Sequence, residues 1–291
     1  MIAHVAEAGE GRGRIVLRIE SRPASPLAVE AAILMARAYG AEIEAIAVAD
    51  ANLARLIGYE GVPVYRTGGR HGLLRDGCDI VRDLAYALRG AERTVERLVA
   101  DAGVPMRRRA LTEEPTRALT LACEEHGPWN MVVIAAPIDA RAMAGLGRLL
   151  EEVGGATGII VVGTEARRSR GPILGPILVA IEDGERLGPM LRVANRLASV
   201  NDERVTLMLV APDEMTLMAL EYEVRLAIAD APAPDIVTAR LGFGEAAVVA
   251  ESLRRLQPGF IVAQRGGLVV PETDTPSPLA AVLECPLMVV R

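Results

Sequence analysis

The chain contains no lysine: all 32 of its basic residues are arginine. Aromatic residues make up only 3% of it. Its cores must therefore be filled by Ala, Val, Leu, Ile and Met. Only three cysteines occur, Cys78, Cys123 and Cys285. They are odd in number and widely separated, which excludes a disulfide framework and a zinc-ligand spacing. No apolar run approaches the roughly 18 residues that a membrane-spanning helix needs. The opening Met1-Ile2-Ala3-His4-Val5-Ala6-Glu7 lacks the basic and apolar regions of a secretory leader. A net charge of −6 argues against a general nucleic-acid partner. The basic runs Arg107-Arg108-Arg109 and Arg167-Arg168 with Arg170 are short and read as a solvated face and a linker. Together these absences predict a cytoplasmic protein with reduced thiols, no membrane partner and no nucleic-acid partner. No Ser-His-Asp order, HExxH or P-loop is present, and His4, His71 and His126 have no partner at ligand or triad spacing. No catalytic residue and no metal ligand is expected.

What the chain does contain is one pattern written twice. Arg14-Ile15-Val16-Leu17-Arg18-Ile19-Glu20 opens one half and Pro176-Ile177-Leu178-Val179-Ala180-Ile181-Glu182 the other. Each is a short apolar run ending in glutamate and leading into a helical pattern. The halves close on Ile159-Ile160-Val161-Val162 and Leu287-Met288-Val289-Val290. A repeat of well over a hundred residues is too long for a solenoid unit and reads as two copies of one domain. In the first half, strands are predicted at 14–20, 42–49, 106–111, 131–136 and 159–163. Helices are predicted from Ser25 to Gly40, at 79–102 and at 114–125, with a short one at 147–153. In the second, strands fall near 176–181, 204–210, 235–240, 259–264 and 286–290, with helices near 185–199, 213–229, 243–256 and 276–283. Continuous apolar strands alternating with helices imply parallel sheets covered on both faces. The fold class is α/β, with two tandem, doubly wound, parallel five-stranded sheets of Rossmann-like type. Domain 1 is set at 1–165 and domain 2 at 172–291, with residues 164–175 as linker.

The offsets between the halves locate an insertion. Glu20 precedes Glu182 by 162 positions, but Val162 precedes Val290 by only 128, so the first half carries 34 extra residues. The glycine-rich stretch near 51–77 is their expected site, read as a loop or lid with little regular structure. Cys123 and Cys285 read as small buried hydrophobes, and Trp129 as the filler of a groove at a strand start. Met208, Met215 and Met218 read as core filling.

This order of elements, with an acid ending the first strand, resembles the universal stress protein family in tandem over essentially the whole chain. Gly145-Leu146-Gly147-Arg148-Leu149-Leu150 looks like the glycine loop that leads into that family's last helix. Cys285-Pro286-Leu287-Met288-Val289-Val290 looks like its ending. The resemblance implies an adenine nucleotide alpha hydrolase-like fold and an internal pseudo-dimer in which last strands pair across a two-fold, with a homodimer as a further option. It also implies an ATP site made by a glycine pattern after the fourth strand, where backbone amides and a helix N-terminus cradle phosphates. That pattern is degenerate here. After the first half's fourth strand stands Ala135-Ala136-Pro137-Ile138-Asp139, without glycine; Glu151 and Asp139 both oppose phosphate. The second half offers Arg265-Gly266-Gly267 but no second glycine step. If a nucleotide binds, Glu182, Asp183, Arg265, Gly266, Gly267 and Ser277 are its candidate residues, and the cofactor is ATP or AMP. The alternative for those residues is a turn at 265–267 and a helix cap at Ser277. The leading expectation is a non-catalytic stress-response or regulatory protein without a cofactor, acting on an unidentified protein partner or small ligand. An adenine-nucleotide binder using the second domain is the alternative. An enzyme of the related nucleotide alpha-hydrolase group needs a Ser- and Gly-rich loop after the first strand, and neither Glu20-Ser21-Arg22-Pro23 nor Glu182-Asp183-Gly184 supplies one.

Overall fold

In a computed structural model, the described residues are 13–57, 63–66, 70–73, 78–125, 129–136, 149–153, 155–163, 173–229, 234–240, 251–253, 255–270 and 285–290. The elements alternate as the apolar pattern requires. The first half runs β1 (Arg14–Ile19), α1 (Pro26–Tyr39), β2 (Glu42–Asp50), α2 (Ala51–Ile57), β3 (Pro63–Arg66), β4 (Arg70–Leu73), α3 (Cys78–Asp101), β5 (Met106–Glu113), α4 (Pro115–Glu124), β6 (Asn130–Ala136) and β7 (Ala156–Gly163). The second runs β8 (Ile177–Ile181), α5 (Leu187–Asn201), β9 (Val205–Ala211), α6 (Glu214–Ala227), β10 (Asp235–Arg240), β11 (Phe260–Gln264) and β12 (Leu287–Val290). Local chemistry sets the helix ends. Ser25 accepts from the Ala28 amide ahead of Pro26, and Gly40 closes α1 in the left-handed conformation. Glu114 caps α4 by accepting from the Thr116 and Arg117 amides at 3.0 and 2.9 Å.

Both halves use the same strand order. The sheet reads β10-β9-β8-β11-β12 and then β7-β6-β1-β2-β5. Counted from its own first strand, each half is 3-2-1-4-5, with all internal pairs parallel. The two arrays are not separate sheets. Their last strands, β12 and β7, pair antiparallel, with Leu287 opposite Val161, Met288 opposite Ile160 and Val289 opposite Ile159, so ten strands form one sheet. Side chains alternate across it. Ile15, Leu17, Ile19, Ile177, Val179 and Ile181 join the core under α1, α3, α5 and α6. Val16, Leu178 and Ala180 join the core on the α4 face. Each fully buried aliphatic side chain contributes about 1.5–3 kcal/mol.

The seam is reinforced on one face. Helices α1 and α5 pack across it, and the Arg196 guanidinium lies 5.0 Å from the centroid of the Tyr39 ring. Tyr39 in turn meets Trp129, the groove filler, at 4.9 Å. Burial pushes the Tyr39 phenol up to about 12. Across β1, β2 and β5, buried Glu44 receives Arg14 Nη1 at 3.0 Å, while Arg14 and Arg107 both reach Glu42 at 3.1 Å. The basic run 107–109 is thus an ion-paired outer face, Arg108 meeting Glu96 at 3.2 Å and Arg109 meeting Glu125 at 2.5 Å.

Three readings of the sequence change. The stretch 51–77 holds regular structure: α2 and an antiparallel β3–β4 hairpin. Asp50 initiates α2 by accepting from the Asn52 and Leu53 amides, and Ile57 is buried. In the hairpin Pro63 stands opposite Leu73, Val64 opposite Gly72, Tyr65 opposite His71 and Arg66 opposite Arg70. Part of the excess length also lies in α3, which has 24 residues against 14 in its counterpart α6. Of the three core methionines, Met208 is buried, but Met215 and Met218 are exposed on α6, which packs through Leu220, Val224 and Ile228 instead. Residues 164–172, and with them most of the expected linker, lie outside the described residues, as do the glycine loop 145–148 and the predicted helix 276–283.

The seam yields a stability prediction. A Cβ placed on Gly158 lies 2.8 Å from the Val289 carbonyl oxygen of the opposite array. Gly158→Val is expected to cost about 1–3 kcal/mol, the usual penalty for forcing atoms into a packed interior. The check is urea unfolding, and an unchanged midpoint would show that the arrays are not clamped there.

Candidate functional site

In open α/β sheets, ligands bind beyond the carboxyl ends of the strands, where neighbouring crossovers depart in opposite directions. The strand order creates two such crevices, one between β1 and β6 and one between β8 and β11. Because the arrays meet antiparallel, the crevices open at opposite ends of the sheet.

The first crevice is crossed by charge. Glu20, just past β1, receives Arg18 at 2.5 Å and Arg22 at 2.8 Å. The Arg22 guanidinium also donates to the Ala135 carbonyl near the end of β6, tying together the two strands that flank the crevice. Arg18 is largely buried, and burial draws its guanidinium below the ordinary arginine value, with Glu20 opposing that shift. The Arg18 Nε has no partner among the described residues. The cleft bounded by Arg18, Glu20, Arg22, Ser25 and Ala135 has a volume of about 30 Å³. That admits one or two water molecules, whereas pockets for drug-sized ligands span about 300–1,000 Å³.

The second crevice is closed by a carboxylate. Glu182, just past β8, accepts from the Val269 amide at 3.0 Å and from the Leu268 amide. Those amides follow a turn in which Gly266 has φ +81° and its own N–H reaches the Val270 carbonyl at 2.9 Å. A Cβ on Gly267 would sit 2.4 Å from both Glu182 carboxylate oxygens, so only glycine admits the carboxylate there. Successive backbone amides around such a turn make an anion-binding concavity, and here its anion is the chain's own side chain. Burial raises the Glu182 carboxyl above its ordinary range, against the opposing pull of the two amides. Around it, Asp183 accepts from the Arg186 amide at 2.9 Å and from Gln264 Nε2 at 3.3 Å. Arg186 Nη1 donates to the Arg265 carbonyl at 3.2 Å. The Arg265 side chain reaches away across the seam to pair with Glu151 of the first half.

The structure therefore brings Glu182, Asp183, Arg265, Gly266 and Gly267 to one end of β8 and β11, while Ser277 lies outside the described residues. The Arg265 backbone joins that cluster, and its guanidinium serves the seam. Four residues of these crevices had gone unmarked in the sequence. Arg18 shows itself as a charge on an otherwise apolar strand, and Arg22 by standing two residues past the terminal acid. Arg186 and Gln264 carry no comparable signal. Gln264 is buried, and its Oε1 has no partner among the described residues.

No protein-family model matches the chain, and no curated protein matches it. Solved structures do. A universal stress protein from Archaeoglobus fulgidus superposes with a TM-score of 0.63 at 12% identity, over 97% of this chain and 97% of that one. A candidate universal stress protein from Pseudomonas aeruginosa gives 0.58 at 14% identity, over 96% of this chain and 93% of that one. A Pseudomonas aeruginosa protein of unknown function gives 0.57 at 14% identity, over 96% and 92%. At these identities the likeness establishes the fold, which is that of universal stress proteins. No helix among the described residues is long and apolar enough to cross a membrane.

The buried carboxylate has a measurable signature. A carboxyl whose folded value is raised contributes stability that is fully present below its unfolded value and lost as pH rises through the folded one. Glu182 is such a group. Wild-type thermal stability relative to Glu182→Gln is expected to grow as the pH is lowered from about 7 to about 4. A difference that stays constant over that range would contradict the buried placement.

Proposed function

We propose that this chain is a tandem universal-stress-type protein that has given up nucleotide binding and acts, without catalysis, by binding a partner in stress or regulatory physiology. The observation that carries this reading is that both ligand crevices are spanned by the chain's own side chains. Arg22 bridges Glu20 to the Ala135 carbonyl in one, and Glu182 occupies the amides of Leu268 and Val269 in the other. The residues present do not suit an adenine nucleotide. In the first crevice the cleft around Glu20 and Arg22 is about 30 Å³ and is crossed by their ion pair, and in the second a phosphate would compete with a carboxylate already seated and would face Asp183 beside it. The repeated strand order and the matching glutamates support descent of the two halves from one duplicated domain.

A second reading is favoured by one observation. After the turn at Gly266-Gly267 the Leu268 and Val269 amides converge on one carboxylate, and the buried Gln264, which donates to Asp183, has an Oε1 that lacks a partner among the described residues. On that reading ATP or AMP displaces Glu182 and uses the second domain.

Thermal shift with ATP, AMP and Mg²⁺ separates the two. Binding weaker than about 1 mM stabilises by no more than about 0.4 kcal/mol at 1 mM ligand, so the first reading predicts a shift near zero for the wild type. A shift of several degrees that increases in Glu182→Ala would establish the second reading instead.

A further inference from the structure

Helix α6 (Glu214–Ala227) is apolar on two opposite faces. Leu220 and Val224, with Ile228 just beyond the helix, face the sheet and are buried. Met215, Met218, Tyr222 and Leu226 are 82%, 66%, 71% and 67% exposed. At 3.6 residues per turn these four fall in one narrow stripe, roughly opposite the buried one. A solvated helix ordinarily carries one apolar face, and a contiguous exposed one marks a contact surface. The stripe does not come with the fold. On α3, the corresponding helix of the first half, the exposed positions include Arg82, Asp83, Arg89, Arg93 and Arg97. Its exposed large apolar side chains among the described residues are Val81 and Tyr86, which lie roughly 140° apart around the helix and form no stripe. The Arg89 guanidinium stands 4.7 Å from the Tyr86 ring centroid.

We infer that α6 docks against α6 of a second copy of this chain, antiparallel about a two-fold axis near Leu220. The residue order favours that occupant, because the stripe is complementary to itself when reversed. With the axis near Leu220, Met218 meets the partner's Tyr222, a sulfur–aromatic contact. Met215 meets the partner's Leu226. On one flank of the stripe the acidic Glu214 stands at the amino end and Arg225 near the carboxyl end. The same reversal sets Glu214 against the partner's Arg225, twice per dimer. In an antiparallel helix pair like flanks face each other, so the charges match only in this orientation; a parallel pairing does not bring them together. Glu221 holds Arg225 along that flank at 2.7 Å, and antiparallel helix dipoles add to the same preference. This surface lies on the outer side of α6 and uses neither crevice, so it stands whether or not a nucleotide binds.

The test is mass as a function of concentration, by light scattering or sedimentation. The wild-type chain is expected to rise from 30.9 kDa toward twice that value between about 1 and 100 µM, a range that reports dissociation constants in the micromolar class. Met218→Glu and Tyr222→Glu should remain at 30.9 kDa throughout, with unchanged circular dichroism, because both side chains point away from the core. Glu214→Arg and Arg225→Glu should each weaken association about three- to tenfold, and the double exchange should recover most of that loss, as a charge pair across an interface requires. A wild-type chain that stays monomeric at about 100 µM would overturn the inference. So would a dimer that Met218→Glu and Tyr222→Glu leave intact, or a double exchange that recovers nothing.

Discussion

The antiparallel pairing of β7 with β12 organises the rest of the molecule. Each five-stranded array alone would end in a bare edge of Ile, Val, Leu and Met, a strand buried on both faces with unpaired amides and carbonyls along one side. Such an edge is an aggregation hazard. Joining the arrays through these strands satisfies both edges with one ladder. The consequences are geometric. Helices α1 and α5 fall on the same face and can pack. The amino end of β7 comes beside the carboxyl end of β11, which lets Glu151 meet Arg265. The crevices are sent to opposite ends of the sheet. The remaining edges, β5 and β10, are its outermost strands, and β5 is lined by arginines held in ion pairs.

The two crevices solve one electrostatic problem in two ways. In both halves a glutamate ends the first strand, and a carboxylate there must find positive charge or hydrogen-bond donors. In the first half the neighbours at two residues on either side are Arg18 and Arg22, and both pair with Glu20. In the second half the corresponding positions are Ala180 and Gly184, so side-chain cations are missing. Glu182 turns instead to backbone amides, which Gly266 and Gly267 make accessible. The same acid therefore closes both crevices, once through arginines and once through a turn. That difference explains why the second half keeps its two glycines while the first has none at the corresponding place.

Most of the fold was legible in the sequence because a parallel sheet covered on both faces leaves a strong trace. Its strands are short continuous apolar runs, and the repeat allowed each to be checked against its counterpart. The helix ends at Ser25, Gly40 and Glu114 were readable for the same local reason, since capping is a short-range effect. What stayed hidden depends on tertiary placement. The 51–77 segment is dense in glycine, which masked both the Asp50-capped helix and the hairpin. The excess length of α3 over α6 was already visible in the predicted helices 79–102 and 213–229, but was not connected with the extra residues of the first half. At the site, Glu182, Asp183, Gly266 and Gly267 were identifiable as neighbours from the fold alone. That Glu182 itself sits in the turn was not, because nothing in a one-dimensional pattern distinguishes a carboxylate awaiting a ligand from one standing in its place.

The methionines of α6 show the same limit from another side. Met215 and Met218 sit at helical spacing in an apolar segment, and such spacing describes a face without saying which neighbour covers it. Two apolar stripes run along α6, and only the one through Leu220 and Val224 can reach the sheet. The other must stay in water or meet something outside the chain. Solvation of four large side chains is the costly alternative, since each fully buried aliphatic or methionine side chain is worth about 1.5–3 kcal/mol. The corresponding helix of the first half carries mostly arginines and acids there, with Val81 and Tyr86 as separate exposed apolar residues. Two halves under the same folding constraints thus differ on their outer helices, and folding alone gives no reason for the second to remain apolar. If the crevices are filled from within, as proposed, the selective use of this molecule has to lie on its surface, and α6 is where that surface departs furthest from what stability requires.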